Sequence, residues 1–362
     1  MNTILSIERT AFTIGTLEVQ WYGLLITIGM ILALCIAMLH MKQIGHRPDE
    51  AIELFLWVVP LGVVFARLLY VFVRPSEYFY HWTSFDDFIN MIAIWEGGLT
   101  IIGGIIGGCL GIVIYSIIHR STISLGQSLD IVGIPVIFAQ VIGRVGNYIN
   151  QEAFGVAITK ASLQHFPIAI FITDPSGVAE SHYAEVMDLI NSNGGGYWFA
   201  ATFFYELAWN FLGFIILTII FKKNRKMPGL IAPVYIAWEC LIRALLEYIR
   251  LDAVPITQIL CWTMLPIVII LGACFVWYRL SKVSYLKMKF LTEAGTISKV
   301  NITKFDAWNY AFVGKLLMPE KKISKVFNWL YSVNSKKIYE MQIYAHYVRV
   351  DKREKWLTKK EI

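Results

Sequence analysis

Charge is scarce in this chain. Asp, Glu, Lys and Arg make up 16% of its 362 residues, while 57% are hydrophobic. That balance excludes an ordinary water-soluble globule and points to a polytopic membrane protein. Cysteine is sparse too, and all five (Cys35, Cys109, Cys240, Cys261, Cys274) lie inside apolar runs. There is no Cys-x-x-Cys pair and no Cys/His cluster, so a disulfide frame or a metal site is not expected. The thiols read as small buried hydrophobes, and no metal or other cofactor is implied. The opening residues lack a charged segment leading into an apolar core with a small-residue cleavage site, so no removable signal peptide is expected. No internal repeat with paired broken helices is visible, which sets a small-molecule transporter aside.

What the chain does have is long apolar runs. A bilayer crossing needs about 20 mostly apolar residues. Seven stretches qualify: Val19–Leu39, Ile52–Val73, Gly97–Ile118, Leu129–Ile149, Trp198–Phe221, Leu230–Tyr248 and Ile256–Tyr278. The expected fold class is all-α, a membrane body over residues 1–278 with an extracytoplasmic insertion at about 150–197 and a basic tail over 279–362. The tail holds 18 basic and 7 acidic residues, against 14 basic and 19 acidic in the body. Connections carrying Lys42 and Arg47, then Arg120, then Lys222, Lys223, Arg225 and Lys226 fall on the same side as that tail. The positive-inside rule then places the N-terminus outside and the C-terminus in the cytoplasm. Basic residues interleaved with Trp308, Trp329 and Trp356 suit a tail lying on anionic lipid. No nucleic-acid motif accompanies the charge, so nucleic acid is not an expected partner.

Gly103, Gly104, Gly107, Gly108 and Gly111 repeat at helical spacing in the third span. Close packing against a neighbouring helix accounts for them. A phosphate loop does not, since no strand precedes them. In the insertion, Asp174-Pro175-Ser176-Gly177 and Asn191-Ser192-Asn193-Gly194-Gly195-Gly196 are turn signals, and a partly folded arm or head is expected there.

The informative residues are the ionisable ones within spans, because charge at bilayer depth is costly and needs a partner or a wet cavity. The densest group is Gly143–Glu152, GRVGNYINQE, where an apolar run ends in a cation, two asparagines, a glutamine and an acid. One reading is a helix end with a snorkelling arginine. The other is a phosphate site, because a guanidinium offers a planar fork of donors and Gly143 and Gly146 allow close approach. Elsewhere stand Arg67, Tyr205 and Glu206, and the series Glu239, Arg243, Glu247, Arg250 spaced by four, four and three. That spacing puts alternating charges on one helical face and fits a salt-bridged stripe. A stripe does not explain Arg67, Arg144 and Arg243 in three different spans. With Glu206 and Glu247 to orient them, they fit an anion site whose natural occupant is a phospholipid phosphate.

Taken in order, these segments resemble the bacterial prolipoprotein diacylglyceryl transferases over about residues 18–277. Trp21-Tyr22-Gly23-Leu24 is similar to the family's WYGL. Ala66-Arg67-Leu68-Leu69-Tyr70 resembles its arginine-bearing second helix, and Trp95–Leu99 with Gly103–Gly107 its glycine-rich third. Gly143–Glu152 is similar to GRxGNFxNxE, Phe204-Tyr205-Glu206 to LYE, Arg243, Glu247 and Arg250 to R-x3-E-x2-R, and Gln258 to a glutamine before the last helix. The resemblance implies transfer of diacylglyceryl from phosphatidylglycerol to the lipobox cysteine of a lipoprotein precursor at the plasma membrane, releasing glycerol 1-phosphate. It implies Arg144 and Arg243 for the phosphate and Tyr22, Asn147, Asn150 and Glu152 for the headgroup. Arg67, Glu206, Glu247 and Arg250 would hold or gate the site. Two positions depart from the pattern. Ile102 stands where the family usually has a histidine proposed to aid proton removal, and Ala200-Ala201 stand where it often has His-Pro. The departure at Ile102 leaves open a second class of function, a non-catalytic phospholipid-binding or lipid-transport protein on the same scaffold.

Overall fold

The computed structural model describes residues 9–15, 17–78, 85–94, 97–120, 122–223, 228–253 and 255–293. The chain opens with a hairpin, β1 (Thr10–Ile14) and β2 (Leu17–Gln20), that runs straight into α1 (Trp21–Gln43). Then follow α2 (Glu50–Val73), the short α3 (Pro75–Tyr78) and α4 (Phe85–Ile92), α5 (Ile101–Ile118) and α6 (Leu125–Asn150). After α6 come β3 (Ala169–Ile172), α7 (Glu180–Ser192) and β4 (Tyr197–Ala200). The last helices are α8 (Thr202–Lys223), α9 (Ile231–Leu246) and α10 (Pro255–Glu293). Among the described residues, six helices are long and apolar enough to cross a membrane: α1, α2, α5, α6, α8 and the Ile256–Trp277 part of α10. The protein is a mostly helical, multi-pass membrane protein.

The structure departs from the expected spans in two places. The stretch at Leu230–Tyr248 is helical only over Ile231–Leu246, 16 residues, or about 24 Å at 1.5 Å per residue. It starts where Asp130 Oδ1 accepts from the Ile231 amide at 2.9 Å. It ends because residues 249–251 are drawn into other pairings, Val156 N donating to Ile249 O at 2.8 Å. The stretch at Trp198–Phe221 begins as a strand, since the aromatic-rich Tyr197–Ala200 pairs antiparallel with Ala169–Ile172. The all-α expectation therefore lacked two small two-stranded sheets. Of the tail, residues 294–362 lie outside the described residues, as do Trp95 and Glu96.

Contacts group the described chain into two units. One is drawn from the described residues of 52–129, 228–230 and 273–293. Within it, α5 lays its glycines along α2. A Cβ on Gly103 would strike the Phe65 carbonyl, on Gly107 the Leu61 carbonyl, and on Gly111 the Trp57 carbonyl at 2.6 Å. Three glycines four apart thus meet three backbone carbonyls four apart, and the backbones approach as small-xxx-small faces allow. Thr100 caps α5 by accepting from Gly103 N at 3.3 Å, and donates its hydroxyl to Ala66 O at 3.1 Å.

The other unit is drawn from Met1–Ala51, Asp130–Arg225 and Ile231–Gly272. The insertion in it forms a small head. Its core is Ala153, Phe154, Ile170, Ile172, Val186, Ile190, Phe199, Ala201 and Phe203, with α7 supplying Val186 and Ile190. The head is tied to the end of α9 by the Gly155–Arg250 bridge and by Leu251 N donating to Phe154 O at 3.3 Å.

The α2–α5 contact makes a direct prediction. Gly107→Val is expected to lower stability in detergent by at least the roughly 1–3 kcal/mol typical of overpacking. Gly104→Ala, whose new Cβ meets nothing nearer than 3.9 Å, should unfold at the wild-type temperature. Thermal unfolding of the two variants side by side checks this, and equal behaviour contradicts the packing described.

Candidate active site

Glu206 is the hub of the charged groups. It sits in the first turns of α8 with a side chain 1% exposed. A bare carboxylate at that depth would be very unfavourable, so it has to be matched. Three guanidinium groups match it. Arg144 of α6 pairs with Oε2, while Arg243 of α9 reaches Oε1 at 3.1 Å and Arg250, just past α9, reaches Oε1 at 2.9 Å.

The three arginines differ in what else they do. Arg250 forks onto Asp252, Nε to Oδ1 at 2.9 Å and Nη2 to Oδ2 at 2.5 Å. Its side chain is 8% exposed, so it is committed to protein partners. Arg144 keeps 20% exposure and Arg243 keeps 25%. Arg144 also donates to Asn147 Oδ1 at 3.1 Å. Arg243 uses Nη1 for Glu206, and among the described residues its Nε and Nη2 have no hydrogen-bond acceptor. Arg243 thus keeps open donors and Arg144 keeps part of its side chain exposed, an arrangement that suits an anionic ligand.

Local structure explains why these groups meet. Arg144 and Asn147 stand one turn apart in α6, and the chain leaves that helix through a strained corner. Gln151 and Ala153 have φ of 54° and 56°, left-handed values that cost side-chain-bearing residues about 1–3 kcal/mol each. The corner is held in place. Gln151 Oε1 accepts from the amides of Thr173 at 3.0 Å and Asp174 at 3.3 Å, and Ala153 O accepts from Thr202 Oγ1 at 2.5 Å and Phe203 N at 3.1 Å. That last pair places the start of α8, and so Glu206, beside the end of α6. Trp209 and Trp238 stack at 4.2 Å and exchange indole-to-carbonyl hydrogen bonds of 3.2 Å, fixing α8 against α9.

The other expected site residues divide between the two units. Tyr22 packs its ring on Gly146, where an added Cβ would lie 2.6 Å from Cδ2. It also interacts electrostatically with Glu152 and Arg144. Asn150 donates to Glu152 Oε1 at 3.3 Å, and its carbonyl accepts from Arg9 at 3.2 Å. Glu247 is buried, with a side chain that interacts electrostatically with Arg250. Arg67 belongs to the other unit. Its fork donates to the carbonyls of Asn90 at 2.5 Å, Met91 at 3.0 Å and Gly97 at 2.7 Å, with Tyr70 and Tyr78 flanking the guanidinium. It closes the C-terminal end of α4 onto the positive-φ pair Gly97 and Gly98.

Some of these contacts carry no signal in the sequence. Asp252 had no motif signal beyond being two residues from Arg250. The charge stripe along α9 does not form as drawn, because Arg250 lies beyond the helix and both Arg243 and Arg250 turn to α8. Ile102 sits exposed in the first turn of α5. The histidines with described partners are occupied elsewhere: His40 on Phe221, His46 on Glu50, His119 on Glu53 and Tyr115, His165 on the Phe166 carbonyl, and His182 near Glu185.

Comparison with known proteins gives one consistent answer. The family model described as prolipoprotein diacylglyceryl transferase matches residues 9–279. A Halalkalibacterium halodurans protein named phosphatidylglycerol–prolipoprotein diacylglyceryl transferase is 30% identical over 278 residues, covering 76% of this chain and 88% of that protein. Proteins of the same name from Lactobacillus acidophilus (31% over 285 residues, 78% and 93% covered) and Limosilactobacillus reuteri (32% over 274 residues, 75% and 90% covered) agree. The matched region holds the hairpin, the whole helical body and every member of the Glu206 cluster, so the chain belongs to the prolipoprotein diacylglyceryl transferase family.

Proposed function

We propose that this chain is a membrane transferase that moves diacylglyceryl from phosphatidylglycerol to the cysteine thiol of a lipoprotein precursor's lipobox. The observation that carries the reading is the pairing of Arg144 and Arg243. They come from two helices, meet opposite oxygens of one buried carboxylate, and each stays partly exposed.

The chemistry follows from charge. The substrate thiolate attacks the glycerol carbon, a thioether bond forms, and the carbon–phosphate oxygen bond breaks. The phosphodiester carries one negative charge, and the departing glycerol 1-phosphate gains more. Guanidinium groups fixed beforehand stabilise that gain without reorganising. Arg144 and Arg243 take this role. Glu206 holds both in register, and Arg250 with Asp252 holds Glu206. Tyr22, Asn147, Asn150 and Glu152 line the headgroup side. Glu247 supports Arg250. Arg67 acts at one remove, by fixing the connection between α4 and α5. The reaction needs no cysteine of the enzyme; its thiols lie in apolar helices, where Cys35, Cys109 and Cys274 are exposed and Cys240 and Cys261 half-buried, not buried as the apolar runs suggested.

The reading extends to placement. The lysine and arginine bias of the connections supports a bacterial plasma-membrane enzyme with its N-terminus outside and its C-terminus in the cytoplasm. The basic residues beyond 293 suit contact with anionic headgroups.

Two predictions test the roles. Membranes containing the chain, given phosphatidylglycerol and a lipobox peptide, should yield a thioether-lipidated peptide detectable by mass spectrometry. Arg144→Ala and Arg243→Ala should each lower that rate about 100-fold or more, the size seen when one preorganised donor is lost. Phosphatidylglycerol binding by the wild type without any lipidated product would make it a lipid-binding protein instead. Glu206→Gln should destabilise the folded protein by about 3–5 kcal/mol, because it strips the counter-charge from buried guanidinium groups. Unfolding in denaturant with the wild-type midpoint would contradict the hub role.

A further inference from the structure

One carboxylate in the cluster is unused by the mechanism above. Glu239 lies on α9, one helical turn before Arg243. Its Oε1 is buried and, among the described residues, accepts no hydrogen bond. It interacts electrostatically with Arg144, Arg243 and Glu206, so it belongs to the same site. An acceptor left buried and unmade costs about 1–3 kcal/mol. Nearby donors do not fill the gap: Arg243 gives Nη1 to Glu206 and Arg144 gives Nη1 to Asn147.

The other acids near the cluster are differently placed. Glu206 is ion-paired with three guanidinium groups, and Glu247 interacts with Arg250. Glu152 accepts from Asn150, and Asp252 from Arg250. The partners of the described histidines lie outside the cluster, and position 102, at the start of α5, is an isoleucine. The proposed reaction, meanwhile, needs a base. A thiol is weakly nucleophilic until its proton is gone.

We propose that Glu239 is the proton acceptor for the substrate thiol, a catalytic role that rests on the transferase reading given above. The incoming S–H supplies the donor that Oε1 lacks. As the sulfur–carbon bond forms, the S–H proton passes to the Glu239 carboxylate. The electron pair of the breaking carbon–oxygen bond stays on the phosphate, which leaves as glycerol 1-phosphate. Glu239 then returns its proton to water or to the departing phosphate, and the cycle closes. The charged and titratable groups around it are Glu206 on α8, Arg144 on α6, Arg243 and Cys240 on α9, and Cys261 on α10.

The test compares wild type, Glu239→Gln and Glu239→Asp in the lipobox-peptide assay across pH. General bases contribute about 100- to 10,000-fold, so Glu239→Gln should lose at least about 100-fold in kcat near neutral pH, with KM for phosphatidylglycerol little changed. The deficit should shrink as pH rises toward the ordinary thiol pKa of about 8.5, because thiolate then forms without help. Glu239→Asp should recover part of the rate. A peptide with selenocysteine in place of the lipobox cysteine is already ionised near neutral pH, and it should react with Glu239→Gln at close to the wild-type rate. If wild type is active and Glu239→Gln matches it on the thiol peptide at neutral pH, the assignment is wrong. A loss equal at every pH and for both peptides also overturns it, since that pattern belongs to a structural role. If wild type makes no thioether at all, the transferase reading falls and takes this proposal with it.

Discussion

Burying one carboxylate against three guanidinium groups is the constraint on which the site depends. Within a membrane helix Glu206 has little water to satisfy it, so its partners must come from the protein. They come from α6, and from α9 and the turn directly beyond it, two separate pieces of chain. The donors left over then favour a guest. Arg144 and Arg243 each give part of a fork to Glu206 and keep part exposed, so the cluster holds itself together while still presenting donors.

The surrounding fold serves that geometry. The strained corner at Gln151 and Ala153 turns the chain from α6 into the head while bringing α8 alongside. The head in turn grips the residues after α9 through Val156, Gly155 and Phe154, which sets where Arg250 emerges. The stacked Trp209 and Trp238 lock α8 to α9 close to Glu206 and Arg243. Each contact is ordinary in itself. Together they explain why GRVGNYINQE is so dense in polar and conformationally unusual residues: one segment carries the arginine that meets Glu206, its asparagine partner and the corner that aligns the next helix.

Much of this was legible in the sequence, and the reasons differ by feature. The spans and the glycine stripe on α5 could be read because apolar length and four-residue spacing are properties of single segments. The meeting of Arg144, Arg243 and Glu206 could be inferred because buried charge must be matched. The particular pairing could not. Spacing along α9 suggested Glu239, Arg243, Glu247 and Arg250 as a stripe on one helix, but the helix stops at Leu246 because the head captures the residues that follow. That is a tertiary event with no local signal. Arg67 was grouped with the other arginines by charge alone, whereas its donors go to backbone carbonyls around Asn90–Gly98. The strand at Tyr197–Ala200 was absorbed into an apolar run because hydropathy does not distinguish a buried strand from the start of a buried helix.

Placing the lipid phosphate would test the central claim most directly. A structure of the full chain in bilayer discs containing phosphatidylglycerol should show the headgroup phosphorus bridged by Arg144 and Arg243, with guanidinium nitrogens about 2.7–2.9 Å from its oxygens. Density for the phosphate at another set of residues, with those two arginines still turned only to Glu206, would contradict the account.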